Sequence, residues 1–297
     1  MKGIVYLVFS YLLYSLNLLY PQLAFLANLF IPMFFVLFFY DSDNLLSDRK
    51  KFFIFVISFF ILSIYSYKVA INIFLMAGVP ALSIYFRYIK NKIKLEPVIF
   101  APLPAFIVTV FILLFVGEIR EGFYRYIVGN LDMVINSLKN IPESEVNINV
   151  DQLIKRKEEF ASIILYIIPA VSYVYISFMT LIAKRVILFK LGRVSEVFRV
   201  PFHMVWLLII GGFTFLSDRL EIKVISYNTF IIFTYLFFIQ GSNLISIILT
   251  RKKLIWLRVI ILILLLVHPY IIIAIAFIGL FDNWFNFASV AEDDKKN

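Results

Sequence analysis

The sequence predicts an all-α fold: a polytopic bundle of transmembrane helices with about nine spans and one amphipathic helix in an outer loop. Three observations predict it. Of the 297 residues, 62% are hydrophobic and only 16% are charged, against roughly 45–50% and 25% in soluble domains. The apolar residues come in long blocks rather than stripes, and blocks of about 18 or more with almost no charge read as membrane spans. Most of the 28 Lys and Arg residues, about 17, fall between alternate blocks, as they do in the cytoplasmic loops of membrane proteins. The whole of residues 1–297 is read as one integral membrane domain, with an extracytoplasmic loop at 117–159.

The first two segments, Gly3–Tyr20 and Pro21–Tyr40, adjoin at a proline. Proline disfavours helix in the residue before it, so a tight hairpin is expected there. Phe52–Tyr67 is short for a span and must lengthen at its ends. Ala70–Phe86 and Pro97–Val116 follow, then, after the loop, Phe160–Ala183, Val200–Leu216, Ser226–Leu249 and Ile255–Phe281. Pro32, Pro80, Pro102, Pro104, Pro169 and Pro269 fall inside spans, where each frees a carbonyl that a neighbour must satisfy. "AGVPALSIYFR" at 77–87 and "YIIPAVSYVYI" at 166–176 hint at an internal repeat. In the outer loop Phe123, Ile127, Leu131, Val134 and Leu138 fall on one helical face, which predicts a helix on the membrane surface or over the bundle. Pro142 and "ESEVNIN" break it, and Asp151 is placed to cap the helix entering the sixth span. An inside N-terminus puts the basic loops in the cytoplasm, and nine crossings put the tail "AEDDKKN" outside. A cell inner membrane is the expected location.

Composition also narrows the function. The absence of cysteine excludes disulfides, cysteine nucleophiles and thiolate metal sites. No Gly-rich phosphate loop or polar nucleotide domain is present, and the net charge of +9 is explained by topology rather than by nucleic acid. The two histidines, His203 and His268, lack carboxylates at ligand spacing. No cofactor, metal or catalytic residue is expected, and the chain is not read as an enzyme. Nor does an acidic residue fall at mid-span, where a proton-driven transporter uses one.

The polar block Gln240–Asn243 interrupts the apolar run "YLFFIQGSNLISIIL". Asn243 lies one turn from Gln240 on the same face, and Gly241 admits a close backbone. In the facing arm of the last hairpin His268 lies about one helical turn away in depth, and Pro269 frees the Leu265 carbonyl. Gln240, Asn243, His268 and that carbonyl form the candidate intramembrane polar site, either a solute or water site or mutual bracing of helices. After the last span, "FDNWFNF" places Trp284 and its phenylalanines at the outer interface. Asp282 is expected to cap or pair there, with Arg219 or Lys223.

"RVSEVFRVPFHMVWLLIIGG", the Gln-Gly of the eighth span and "GLFDNW" at 279–284 together resemble the YybS-like family of polytopic bacterial membrane proteins, a domain of unknown function. The resemblance covers most of the chain and is specific from about Arg193 onward. Where the family pattern closes with an Arg after the Trp, this chain has Asn286, Phe287 and Ala288. The family is distantly similar to substrate-binding subunits of energy-coupling-factor transporters and to MreD-like proteins. The first kinship implies a small-molecule solute and partner subunits docking through Ala-x-x-x-Ala in the first span, yet Gly3–Tyr20 has no alanine. The leading reading is a transporter-like membrane protein that binds or moves a small solute within a larger complex. The alternative is an envelope or cell-shape scaffold acting through protein contacts. A closed polar cavity among the spans favours the first, dry packing the second.

Overall fold

The computed structural model describes residues 2–20, 26–41, 46–139, 150–193, 198–217, 219–268 and 270–287, and every regular element among them is helical. We label the helices α1 (Lys2–Leu19), α2 (Ile31–Asp41), α3 (Asp48–Tyr65), α4 (Tyr67–Ile89), α5 (Pro97–Phe115, with a turn at Ala101 and Pro102), α6 (Gly117–Lys139), α7 (Val150–Lys155), α8 (Lys157–Lys190), α9 (His203–Thr214), α10 (Leu220–Arg251), α11 (Leu257–Val267) and α12 (Tyr270–Phe285). Among the described residues four helices are long and apolar enough to cross a membrane: α4, α5, α8 and, from Ile222, α10. The hairpin expected at Tyr20-Pro21, the break at Pro142 and "ESEVNIN", Pro269 and the tail "AEDDKKN" touch or lie outside the described residues.

Two compact units emerge: Met1–Ile107 with Ser172–Glu196, and Val108–Val171 with Val197–Asn297. The first is built on aromatic packing. Phe35, Phe38, Phe39 and Phe55 are fully buried, and Phe35 meets Phe55 edge-on at 5.3 Å and 89°, a favourable ring geometry. Gly78 makes room for this core, since a Cβ there would stand 3.0 Å from Phe74 Cδ2 and 3.3 Å from Phe59 Cζ. The short third segment gains its length at the front, because α3 starts at Asp48. Ser66, extended at φ −158°, separates α3 from α4 and accepts a hydrogen bond from the Val69 N–H, so one residue ends one helix and caps the next. α4 widens into π-helical turns at Phe74–Gly78 and Tyr85–Ile89.

In α5 proline removes a donor, and neighbours replace it. Ser177 Oγ donates to the Val98 carbonyl freed by Pro102, at 2.7 Å, and Tyr173 Oη donates to the Ile99 carbonyl at 2.7 Å. Both donors come from α8, and both are buried.

In the second unit α9 and α10 pack through Gly211, whose Cβ would stand 2.6 Å from Thr229 Cγ2, and through a 2.6 Å bond between Ser226 and Thr214 hydroxyls. The amphipathic α6 forms as expected, and part of the expected face turns inward. Ile127 and Ile135 are buried, and Tyr124, Val128 and Leu131 pack beside Leu113, Ala161 and Leu165. Phe123 and Val134, of the same expected face, stay 45% and 50% exposed. The helix carries two apolar stripes, and only one faces its own chain.

The expected ninth span is two helices. His268 adopts φ −127°, ψ 93° between α11 and α12. It precedes Pro269 in sequence, and the residue before proline is pushed from helix to extended backbone. The end of α12 therefore lies elsewhere than expected. Asn286 bonds Arg199, and Trp284 packs edge-on against Phe202 at 5.9 Å. Both contacts are with the entrance to α9, not with Arg219 or Lys223.

Candidate functional site

The motif residues of the second unit converge on one place. α10 and α12 touch backbone to backbone at two glycines. A Cβ on Gly241 would fall 2.1 Å from the Ile275 carbonyl oxygen, and one on Gly279 would fall 2.0 Å from that of Phe237. No side chain fits there, so glycine is required by contact rather than by conformation. Beside the crossing, the buried Gln240 uses both ends of its amide. Its Oε1 accepts from the Val200 N–H at 2.9 Å, and its Nε2 donates to Asp282 Oδ2 at 3.1 Å. Asp282 is 4% exposed and sits within the last turn of α12. It is a buried acidic side chain, not the interfacial carboxylate expected, and neither Arg219 nor Lys223 bonds it.

Val200 is available because "FRVPF" is not yet helical, and Pro201 follows it. Arg199, exposed, reaches Asn286 just past α12. The entrance to α9, the middle of α10 and the end of α12 are thus latched by two amides, one carboxylate, one guanidinium and an aromatic pair.

Of the expected polar site, Gln240 alone joins this latch. Asn243 is half-buried and His268 is exposed, and among the described residues neither bonds Gln240. His268 instead occupies the break between α11 and α12. Trp284 is 50% exposed and lies beside Phe202.

Asn228 was not singled out in the sequence, although it is 7% exposed within an apolar run. Its Oδ1 accepts from the Ala170 N–H at 2.9 Å, and its Nδ2 donates to the Tyr166 carbonyl at 2.7 Å. Those two groups form an ordinary i to i−4 pair of α8. The Asn228 amide is inserted into that rung, one residue after Pro169 opens the helix.

The first unit holds an ionic layer that the sequence disguises as loop charges. Lys51 is 0% and Lys184 is 2% exposed. Lys184 pairs with Glu96 at 3.0 Å and lies over the Tyr88 ring, whose hydroxyl also donates to Glu96 at 2.8 Å. Asp48 receives Lys90 at 2.9 Å, Lys51 at 3.4 Å and the Tyr85 hydroxyl at 2.7 Å. Lys90 and the Tyr85 hydroxyl beside it hold the Asp48 carboxyl at about 2. Tyr85 and Tyr88 lie one turn apart in the π-helical end of α4, and that pair is the signal the sequence offered.

The described residues include two apolar grooves. One of about 220 Å³ lies among Leu208, Phe230, Phe237 and Phe277 in the second unit. One of about 390 Å³ lies among Tyr11, Tyr14, Tyr65 and Ile73 in the first. No group of three or more metal-ligating side chains occurs among the described residues.

A family model described as "Predicted membrane protein (DUF2232)" matches residues 8–283. No curated protein and no solved structure matches the chain.

Proposed function

Because the chain belongs to the DUF2232 family of predicted membrane proteins, we propose that it is a multi-pass protein of the cell inner membrane that acts through contacts with other membrane proteins, as a scaffold in a larger assembly. One observation carries this reading. The buried Gln240 amide is spent on its own chain, on Val200 and Asp282. Asn228 and Ser177 are likewise spent on broken helix rungs. A buried amide with both ends engaged braces helices and presents nothing to a solute. The reading gives the chain no reaction to catalyse.

The N-terminus and the basic loops belong in the cytoplasm. The end of α12 then belongs there too, since it meets Arg199 and Phe202 where the basic loop enters α9.

Solute transport as a subunit of a complex is the second reading. The turn in α5 at Ala101 and Pro102 and the proline inside α8 favour it, because interrupted helices line transporter sites. Reconstitution separates the two. The purified chain, alone in proteoliposomes, is expected to leave small-solute gradients intact, and in mild detergent extracts it is expected to migrate as a stoichiometric complex. Solute uptake by the chain alone would overturn the scaffold reading.

A further inference from the structure

The outward stripe of α6 has heptad order. Ile119, Tyr126 and Met133 recur every seven residues and are 41%, 71% and 64% exposed. Three residues after each stand Gly122, Gly129 and Asn136, all exposed. A Cβ on either glycine would have nothing within 4 Å, so these are open notches. Flanking the stripe, again seven apart, are Glu118, Arg125, Asp132 and Lys139.

We propose that this face pairs with the same face of a second copy, the two α6 helices antiparallel across a two-fold axis. In an antiparallel helix pair the first position of one heptad faces the fourth position of the other. Tyr126 then enters the notch at Gly129 of the second copy, Met133 the notch at Gly122, and Ile119 packs on Asn136. Every bulky side chain meets a small or short one. In that register the flanking charges face each other as Glu118 with Lys139 and Arg125 with Asp132, each pair occurring twice by symmetry. Asp132 holds Lys157 through Oδ1, which leaves its other oxygen for Arg125.

The competing arrangements fail on the same residues. A shift of one heptad sets Glu118 against Asp132 and Arg125 against itself. The opposite shift sets Arg125 against Lys139 and Asp132 against itself. Parallel pairing sets Tyr126 on Tyr126 and glycine on glycine, and faces the charges with Phe123, Asn130 and Ser137. Specificity of this kind comes from repulsion in the wrong registers as much as attraction in the right one. A lipid surface matches less well. Helices that lie on membranes carry bulky apolar faces edged by Lys and Arg, whereas this face has two notches and alternating charge. Two copies in one membrane share a two-fold axis along the membrane normal, so antiparallel pairing also requires α6 to lie along the surface.

The chain has no cysteine, which makes cross-linking a clean test on full-length protein in native membranes. Oxidising the double variant Ile119→Cys/Asn136→Cys is expected to give a covalent dimer. Ile119→Cys alone is expected to give none, because the two copies of residue 119 lie at opposite ends of the pair. Glu118→Lys is expected to cut the cross-linked fraction at least about fivefold, and Glu118→Lys/Lys139→Glu to restore it. A dimer from Ile119→Cys alone would mean parallel pairing and overturn the proposal. So would an adduct with a different protein, or no adduct from the double variant while the protein stays folded, which is the outcome if lipid covers the face.

Discussion

A proline inside a membrane helix leaves main-chain groups that water cannot reach, and in this chain side chains from neighbouring helices take them up. Ser177 does so for the Val98 carbonyl that Pro102 frees, and beside Pro169 one Asn228 amide serves both halves of the next rung in α8. Replacing Asn228 with Leu keeps the volume and strands the Ala170 N–H and the Tyr166 carbonyl. Asn228→Leu is expected to lower stability by about 1–2 kcal/mol, read as a reduced thermal midpoint in detergent. The glycine crossing is less forgiving. Gly241→Ala drives a methyl into the Ile275 carbonyl, and only separation of α10 from α12 relieves it, at a cost of about 1–3 kcal/mol. Gly212→Ala, which meets nothing within 4 Å, is expected to be neutral or to gain up to about 1 kcal/mol. Equal midpoints for the two variants would remove the close-contact account. The need for glycine at 241 was legible because a lone glycine in a span signals an approaching backbone. The role of Asn228 was not, because its partners lie 58 and 62 residues away and no local pattern joins them.

Helices were legible wherever apolar runs are long, and misread where a single residue interrupts them. His268 ends α11, yet the block Ile255–Phe281 is apolar on both sides of it, so periodicity alone carries one helix through. On α6 the sequence offered two apolar stripes, and nothing local says which one meets Ala161 and Leu165. The start of α3 was hidden for another reason: Lys51 reads as a loop charge, whereas it bonds the Phe39 carbonyl at 3.3 Å and lies over Tyr85. Asp48, at the head of that helix, opens the layer to a pH test. Its carboxyl is held at about 2, first by Lys90 and then by the Tyr85 hydroxyl. A depressed carboxylate stabilises the fold above its unfolded value, near about 4, and loses that contribution as pH falls toward the folded value. Asp48 is 48% exposed, so solvent screening limits the gain to the order of 1 kcal/mol. Asp48→Asn is expected to melt below the native protein at pH 7 and together with it near pH 2. An unchanged gap across that range would show that the carboxylate charge is not what stabilises the layer.

At the scale of the whole chain the membrane class followed from composition, but its topology did not, because an apolar block counts as one crossing until its breaks are known. An odd number of spans sends the tail to the side opposite the N-terminus. The His268 break splits the last expected span, and on the topology proposed above the contacts of α12 reverse that consequence. Asn286 and Trp284 reach Arg199 and Phe202, residues that follow the basic stretch Lys184–Arg193. Lys and Arg this close to span ends hold their loop in the cytoplasm, so whatever touches the entrance to α9 shares that side. A reporter fused at Asn297 is therefore expected to show cytoplasmic activity, and one inserted at Glu145 the opposite. If the Asn297 fusion is instead active outside while Glu145 remains outside, α11 and α12 make one crossing together and the latch at Arg199 does not form in the membrane. Cysteines placed at Arg199 and Asn286 separate a misread span from a misread side, because they cross-link only when the latch is closed, whichever face of the membrane it lies on.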